Sequence, residues 1–300
     1  PATPRPPTGL EISRPEEHHT SAKRGIMAET MLRPHQSLTT PEDTLRIQRV
    51  WATLLRHLHA TPHAIADTAR IHATAEDLVA HLVADKLCDP GIPFATLRAT
   101  CLQLLHKTPA IMAGAALDLH AYCTRGAENT DYATVFLYDK GFLVTQAYRL
   151  AHALWGSGQH MSALYLQSRA SEVTGTDIHP AATLGHGLVL GHGGGIVIGE
   201  TTLVENNVAI MCDVTLGGTG KQAGKRHPTV GQGSLIGPGT QVLGPIDIGE
   251  GAKIGAGAVV VKPVRAFSAV AGNPARYINS HTTWPVLTMD LSFPSIDYLI

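Results

Sequence analysis

The sequence predicts an α + β chain in which an amino-terminal α-helical domain is followed by a parallel β-helix of hexapeptide repeats. Bulky aliphatic residues recur at one phase of a six-residue period: Ile178, Leu184, Leu190, Ile198, Val204, Ile210, Leu216, Val230, Ile236, Val242, Ile248, Ile254 and Val260. A six-residue unit is too short to bury its own apolar side chain, so the units must stack into one coil. Glycines between the repeats, as in Ile236–Gly239, supply the tight corners that such a coil needs.

The period breaks at two places, and both predict functional loops. Two extra residues fall between Leu190 and Ile198, beside the glycine-rich segment Gly191–Gly195 that contains His192. Eight extra residues fall between Leu216 and Val230. Loops that leave a regular scaffold often carry function.

The residues before the coil show the spacing of packed helices. Thr40 and Pro41, followed by acidic residues, are typical of a helix start. Apolar stripes continue through 64–87, 93–122, 142–155 and 161–173. We therefore divide the chain into four parts: a disordered or targeting segment at 1–38, an α-helical oligomerisation domain at 39–175, a β-helix at 176–277 and a flexible carboxy-terminal tail at 278–300.

Composition narrows the class of protein. The chain has 300 residues, a net charge of −1 and 44% apolar residues, which is typical of a globular protein without a strong attraction to nucleic acid. No apolar run reaches the length of a membrane span. The four cysteines form no C-x-x-C pair, so we expect a reducing compartment. We expect the cytoplasm, with an organelle such as a plastid or mitochondrion as the alternative.

Several local strings together resemble serine O-acetyltransferase, over roughly residues 40 to 276. They are Asp118–Ala121, Lys140–Phe142, Gln146–Arg149, Asp177–Ala182, Val197–Thr201, Val214–Lys221 and Arg226–Pro228. The resemblance implies a left-handed coil, assembly as a homotrimer or a dimer of trimers, and an active site between subunits. It also implies transfer of an acetyl group from the cosubstrate acetyl-CoA to the hydroxyl of L-serine, which gives O-acetyl-L-serine for cysteine biosynthesis. No permanently bound cofactor and no metal are expected.

The resemblance also assigns roles to residues. An alcohol is a poor nucleophile near neutral pH, so a base must take its proton. His192 matches the family's general base, and Asp177 matches the carboxylate that holds that imidazole. Arg226 and His227 match the pair that binds the serine carboxylate. The residues that match the CoA-binding groove are Gly218, Thr219 and Ala256.

The chain departs from the family where an acid is expected to bind the serine ammonium group. The family string Asp-His-Ala-Thr-Gly reads Gly191–Gly195 here, and the Asp of Thr-Arg-Asp-Pro-Ala is Gly126. Each lost contact would weaken affinity about tenfold to a hundredfold. Asp118 or Asp131 is a candidate replacement.

The last residues carry a prediction about a partner. The chain ends in Ile300, like the family members that insert a terminal Ile into the active site of O-acetylserine sulfhydrylase. Such a tail binds through its terminal carboxylate and one apolar side chain. We therefore expect Ile300 to bind that enzyme.

Alternative functions remain open from the sequence. One is an acetyltransferase for a different hydroxyl acceptor, and another is a catalytically weakened regulatory paralogue that binds the sulfhydrylase. A γ-type carbonic anhydrase would need three converging histidines, for which His186, His192 and His227 are nominal candidates. Gly217–Lys221 is not a nucleotide P-loop, because Gln222 stands where Ser or Thr is required.

Overall fold

The computed structural model describes residues 41–60, 74–125, 130–221 and 223–293. The predicted disordered segment, Gly126 and Ile300 lie outside these ranges. Before the coil, the described helices are α1 (Pro41–Ala60), α2 (Ala75–Leu87), α3 (Phe94–Lys107), α4 (Pro109–Thr124), α5 (Tyr132–Tyr138), α6 (Lys140–Gly156) and α7 (His160–Thr174). None of the helices in these ranges is long and apolar enough to cross a membrane.

Local sequence explains where several helices begin and end. Thr74 caps α2 by accepting from the Asp77 amide at 3.1 Å, and Asp131 caps α5 in the same way. Thr108 and Pro109 divide the predicted 93–122 stretch into α3 and α4. Gly175 ends α7 in the left-handed conformation, with φ 76°. Helix α5 was not predicted, because its seven residues are too few to show a period.

The coil consists of short strands, each followed by a corner. The strands are β1 (Asp177–Ile178), β2 (Thr183–Leu184), β3 (Val189–Leu190), β4 (Val197–Ile198), β5 (Leu203–Val204), β6 (Ala209–Ile210), β7 (Thr215–Gly217), β8 (Thr229–Val230), β9 (Leu235–Ile236), β10 (Gln241–Leu243), β11 (Asp247–Ile248), β12 (Lys253–Ile254), β13 (Val259–Val260), β14 (Ser268–Ala271) and β15 (Arg276–Ser280). A 3₁₀ turn, Gly191–Gly193, lies between β3 and β4.

The strands form the three faces of a left-handed parallel β-helix. Sheet A has the order β1-β4-β7-β10-β13, sheet B is β2-β5-β8-β11, and sheet C is β3-β6-β9-β12-β14-β15. All pairs are parallel except β14 with β15. The thirteen predicted inward residues are each at most 9% exposed, so the predicted fold is confirmed. The chain visits A, B and C in turn, which defines A-to-B, B-to-C and C-to-A corners.

The end of the coil differs from the predicted boundary at residue 278. Strand β15 continues to Ser280, and a short helix α8 (Pro285–Thr288) buries Val286. Lys253 lies 4.9 Å from the centre of the Phe293 ring. Residues 278–293 are therefore folded against the coil rather than a flexible tail, because aromatic and aliphatic side chains in this segment cover its last turns.

The helical domain packs directly on the first turn of the coil. The Tyr148 hydroxyl donates to the Ala182 carbonyl at 2.5 Å and accepts from the Leu184 amide at 3.1 Å. Arg149 donates to the Gly185 carbonyl at 2.8 Å. These bonds satisfy backbone groups on the first turn of the coil, which has no neighbouring strand on that side in the described chain.

Candidate functional site

His192 lies at a C-to-A corner and is exposed, whereas its neighbours Gly191 and Gly193 are buried. Its φ is 60°, a conformation that non-glycine residues rarely adopt and that often marks a functional position. The corner rests on the coil, because the Gly195 amide donates to the Gly175 carbonyl at 2.8 Å and the Asp213 amide donates to the Gly194 carbonyl at 2.9 Å. The backbone therefore presents this imidazole outward.

Two helices hold the His192 corner from outside the coil. The Tyr122 hydroxyl, on α4, donates to the Leu190 carbonyl at 3.0 Å and accepts from the Leu190 amide at 2.9 Å. At the start of α6, Gly141 fits so closely that an added Cβ would lie 1.9 Å from the Leu190 carbonyl oxygen. The position of the corner thus depends on packing between the two domains.

Asp177 lies at the start of sheet A, one turn of the coil from the His192 corner. Its carboxylate accepts a hydrogen bond from Gln167 Nε2 at 2.5 Å. No hydrogen bond joins Asp177 to His192 in the described part of the chain. Their catalytic pairing therefore stays a prediction.

Arg226 and His227 lie at an A-to-B corner, where Thr201 organises them. The Thr201 hydroxyl accepts from the Arg226 and His227 amides at 3.0 Å and 3.1 Å. It also lies 2.9 Å from His227 Nδ1, which accepts from the Thr201 amide at 3.1 Å. Because Nδ1 accepts from an amide, the neutral imidazole carries its proton on Nε2.

The surroundings of His227 favour that neutral form. Burial, followed by the charge of Arg226, lowers the pKa of His227 below its usual value. An added Cβ on Gly199 would lie 2.2 Å from Nε2, so this glycine makes room for the ring. Arg226 itself pairs with the Glu200 carboxylate, which lowers the pKa of Glu200. The corner thus offers a neutral N–H donor beside a guanidinium.

The predicted CoA residues lie on two opposite sides of sheet A, some at its A-to-B corners and one at a C-to-A corner. Gly218 and Thr219 follow β7 on the A-to-B side, where an added Cβ on Gly218 would lie 3.5 Å from His227 Nε2. Ala256 lies on the C-to-A side between β12 and β13, three turns of the coil beyond His192. Ala256 is exposed and stacks on Gly237, whose added Cβ would lie 2.7 Å from the Ala256 amide nitrogen.

A single chain therefore does not bring all the predicted site residues together. His192 and Asp177 lie on the C-to-A side of sheet A, where its strands begin. Arg226 and His227 lie on the A-to-B side, where its strands end. His186 lies at a B-to-C corner, where burial lowers its pKa to about 4. The three nominal zinc-binding histidines thus occupy three different kinds of corner in this chain, which gives them no convergent geometry.

Known proteins are similar to this chain in both sequence and architecture. The model for the amino-terminal domain of serine acetyltransferase matches residues 54–147, and the bacterial transferase hexapeptide model matches residues 227–262. A serine acetyltransferase of Escherichia coli K12 is 42% identical over 228 residues, which cover 76% of this chain and 84% of that protein. The chain belongs to the serine acetyltransferase family. A chloroplastic serine acetyltransferase of Arabidopsis thaliana is 47% identical over 73% of this chain and 72% of that protein.

Solved structures of serine acetyltransferases have a similar fold. A serine acetyltransferase in complex with cysteine has a TM-score of 0.79 and 37% identity, and the match covers 83% of this chain and 100% of that chain. Soybean serine acetyltransferase complexed with serine has a TM-score of 0.72 and 40% identity, covering 80% and 100%. A Brucella abortus serine acetyltransferase in complex with coenzyme A has a TM-score of 0.75 and 40% identity, covering 78% and 96%.

The two candidate replacement acids, Asp118 and Asp131, already have other partners. Asp118 is fully buried, pairs with Arg149 at 2.6 Å and accepts from the Leu188 amide at 2.9 Å. Asp131 caps α5 and lies 3.9 Å from His57. The burial of Asp118 excludes it from contact with a substrate ammonium group. Asp131 is half exposed, but it caps α5, whereas it is the start of α6 that contacts the His192 corner. Gly191 is next to Met211, whose Cε would lie 2.7 Å from an added Cβ.

Three residues near the site escaped the sequence-based prediction of site residues. Thr201 was visible only as part of a family string, and its hydrogen bonds depend on the insertion loop folding back. Tyr122 acts across the domain boundary, which no local pattern encodes. Asp139, the N-cap of α6, precedes the Lys140–Phe142 string, and a helix-capping pattern could have located it.

Proposed function

We propose that this protein transfers the acetyl group of acetyl-CoA to the hydroxyl of L-serine, giving O-acetyl-L-serine. The observation that carries the proposal is the exposed His192 at φ 60°, held at a glycine-rich corner by Tyr122 and Gly141. An imidazole fixed in this way can act as a general base near neutral pH.

In the proposed reaction His192 accepts the hydroxyl proton while the serine oxygen attacks the thioester carbon. The carbon–oxygen bond forms, the carbon–sulfur bond breaks, and the imidazolium returns its proton to the leaving CoA sulfur. The charges balance without an oxidant or a metal. Asp177 is proposed to stabilise the imidazolium, once its contact with Gln167 rearranges.

Arg226 and His227 are proposed to bind the serine carboxylate. A guanidinium and the Nε2–H of a neutral His227 supply adjacent donors that suit a carboxylate. They lie on the A-to-B side of sheet A, whereas His192 lies on the C-to-A side. We infer that each active site combines the C-to-A side of one copy with the A-to-B side of a neighbouring copy, and that the working unit is a trimer. Gly218, Thr219 and Ala256 would then line the CoA groove between copies.

An acetyl-CoA consumption assay tests the function. Purified protein is given L-serine, L-homoserine, 3-hydroxypropanoate or no acceptor, and free CoA thiol is followed. We expect serine to give the largest kcat/KM. Equal rates with serine and without acceptor would contradict acetyl transfer to serine, whereas faster reaction with another acceptor would reassign the substrate. Sedimentation of the same sample tests the trimer.

We also propose that Ile300 binds an O-acetylserine sulfhydrylase. The support is the resemblance of the last residues to those of family members that insert an Ile into that enzyme, and Ile300 lies outside the described residues. A peptide of the last ten residues should bind the sulfhydrylase, compete with O-acetylserine and lose most of its affinity without Ile300. Calorimetry that gives equal affinity with and without Ile300 would reject this partner site.

A further inference from the structure

Asp139 lies beside the His192 corner at the start of α6. Its Oδ1 accepts from the Phe142 amide at 2.8 Å, which caps the helix. The next two residues touch the corner directly, because an added Cβ on Gly193 would lie 2.3 Å from the Gly141 nitrogen and 2.7 Å from the Lys140 carbonyl carbon. The cap therefore places a carboxylate next to the corner that carries the proposed base.

The electrostatic setting of Asp139 is that of a carboxylate short of a cation. Burial raises its pKa, while amide hydrogen bonds, the Tyr122 hydroxyl and the charge of His192 lower it. No Lys or Arg of the described ranges forms an ion pair with it. A part-buried carboxylate without a full cationic partner is stabilised by any cation that binds next to it.

Other carboxylates around the corner suit a substrate cation less well. Asp118 is neutralised by Arg149, and Asp177 accepts from Gln167. Asp213 also borders the corner, since its Oδ1 would lie 2.0 Å from an added Cβ on Gly195, but it is exposed. An ion pair at an exposed carboxylate contributes little, whereas partial burial strengthens it.

We propose that the Asp139 carboxylate binds the ammonium group of the amino-acid acceptor while His192 takes the proton of its hydroxyl. In serine the carbons that bear these two groups are directly bonded, so adjacent protein groups can hold both. This inference rests on the proposed function and names the group that selects an amino acid over a simple hydroxy acid.

The test compares Asp139→Asn with two matched variants. Asn caps helices as well as Asp does, so Asp139→Asn keeps the bond to Phe142 and removes the charge. Asp131→Asn changes the cap of α5 in the same way and leaves the cap of α6 intact. Asp213→Asn removes the other carboxylate near the corner. For each variant one measures the KM for serine, the KM for acetyl-CoA, and the Ki of 3-hydroxypropanoate, an acceptor analogue without an amine, against serine.

We expect Asp139→Asn to raise the KM for serine about tenfold to a hundredfold, the range for a lost charge-assisted contact. The KM for acetyl-CoA and the Ki of 3-hydroxypropanoate should stay within about twofold, as should every constant of the other two variants. A purely structural role would weaken both acceptor-site ligands together, and that result would overturn the proposal. So would an unchanged KM for serine, or the larger effect in Asp213→Asn. Wild-type protein without serine-dependent activity would instead contradict the proposed function.

Discussion

The proposed functional histidines on the two sides of sheet A, His192 at a C-to-A corner and His227 at an A-to-B corner, are held in different ways. His192 is exposed, and its corner is fixed from outside by Tyr122 and the start of α6. His227 is 8% exposed and is fixed within the coil by hydrogen bonds to Thr201. The difference teaches that the proposed base depends on contact between the domains, whereas the proposed carboxylate site depends on the coil alone.

The largest effect should come from removing the exposed histidine itself. We expect His192→Ala to lower kcat at least about a hundredfold, since general-base catalysis contributes about that much. The affinity for acetyl-CoA should hardly change. Steady-state kinetics and calorimetry measure the two. His160→Ala, which changes an exposed histidine at the start of α7, is the matched control and should keep full activity. A kcat near the wild-type value would remove His192 from the mechanism.

Disturbing the domain contact should come next. In Gly141→Ala the new methyl would lie 1.9 Å from the Leu190 carbonyl oxygen and 2.4 Å from the Tyr122 hydroxyl, so α6 must move away from the corner. Overpacking of this kind costs about 1–3 kcal/mol of unfolding free energy. We expect kcat to fall about tenfold, because the base is displaced.

The same helix offers the control for Gly141→Ala. Gly156, its last residue, has open space around an added Cβ, so Gly156→Ala should leave kcat unchanged and stabilise the helix by up to about 1 kcal/mol. Denaturation curves and kinetics compare the two variants. If both behave alike, contact between the domains does not position His192.

A smaller effect should follow from breaking the network within the coil. Thr201→Val removes the hydroxyl that accepts from the Arg226 and His227 amides, which leaves donors unsatisfied at a cost of about 1–3 kcal/mol. We expect the KM for serine to rise several-fold with kcat little changed. Thr183→Val, at an exposed position of β2, is the control. A fall in kcat without a change in KM would mean that this corner does not bind the acceptor.

The smallest effect on activity should come from His186, at a B-to-C corner, where a change should alter only the pH dependence of stability. Burial lowers the pKa of His186 from 6.5 to about 4 in the folded chain. The unfolded chain then binds more protons between these values, so stability is present above pH 6.5 and is lost as the pH falls towards 4. At pH 5 the loss should be about 2 kcal/mol. His186→Gln should reduce this pH dependence of unfolding without changing the KM for serine, and an unchanged pH dependence would contradict the burial effect.

The periodic part of the chain was predictable because each repeat has to solve the same burial problem. Ile178 to Val260 recur at one phase, and all thirteen turned out to face the interior. The two breaks in the period also marked the corners of His192 and of Arg226 and His227. Helix α5 and the folded segment 278–293 were missed, since short elements and non-periodic packing leave little pattern in the sequence.

The sequence by itself therefore determined the coil, the family and the identity of the proposed base. The tertiary structure alone decided which groups surround that base. Asp118 looked available as a free acid, yet Arg149 neutralises it across two helices. Asp139 escaped the sequence-based prediction, yet α6 carries it to the His192 corner. The physical reason is that burial follows from local periodicity, whereas the partner of a charged side chain depends on which distant elements pack beside it.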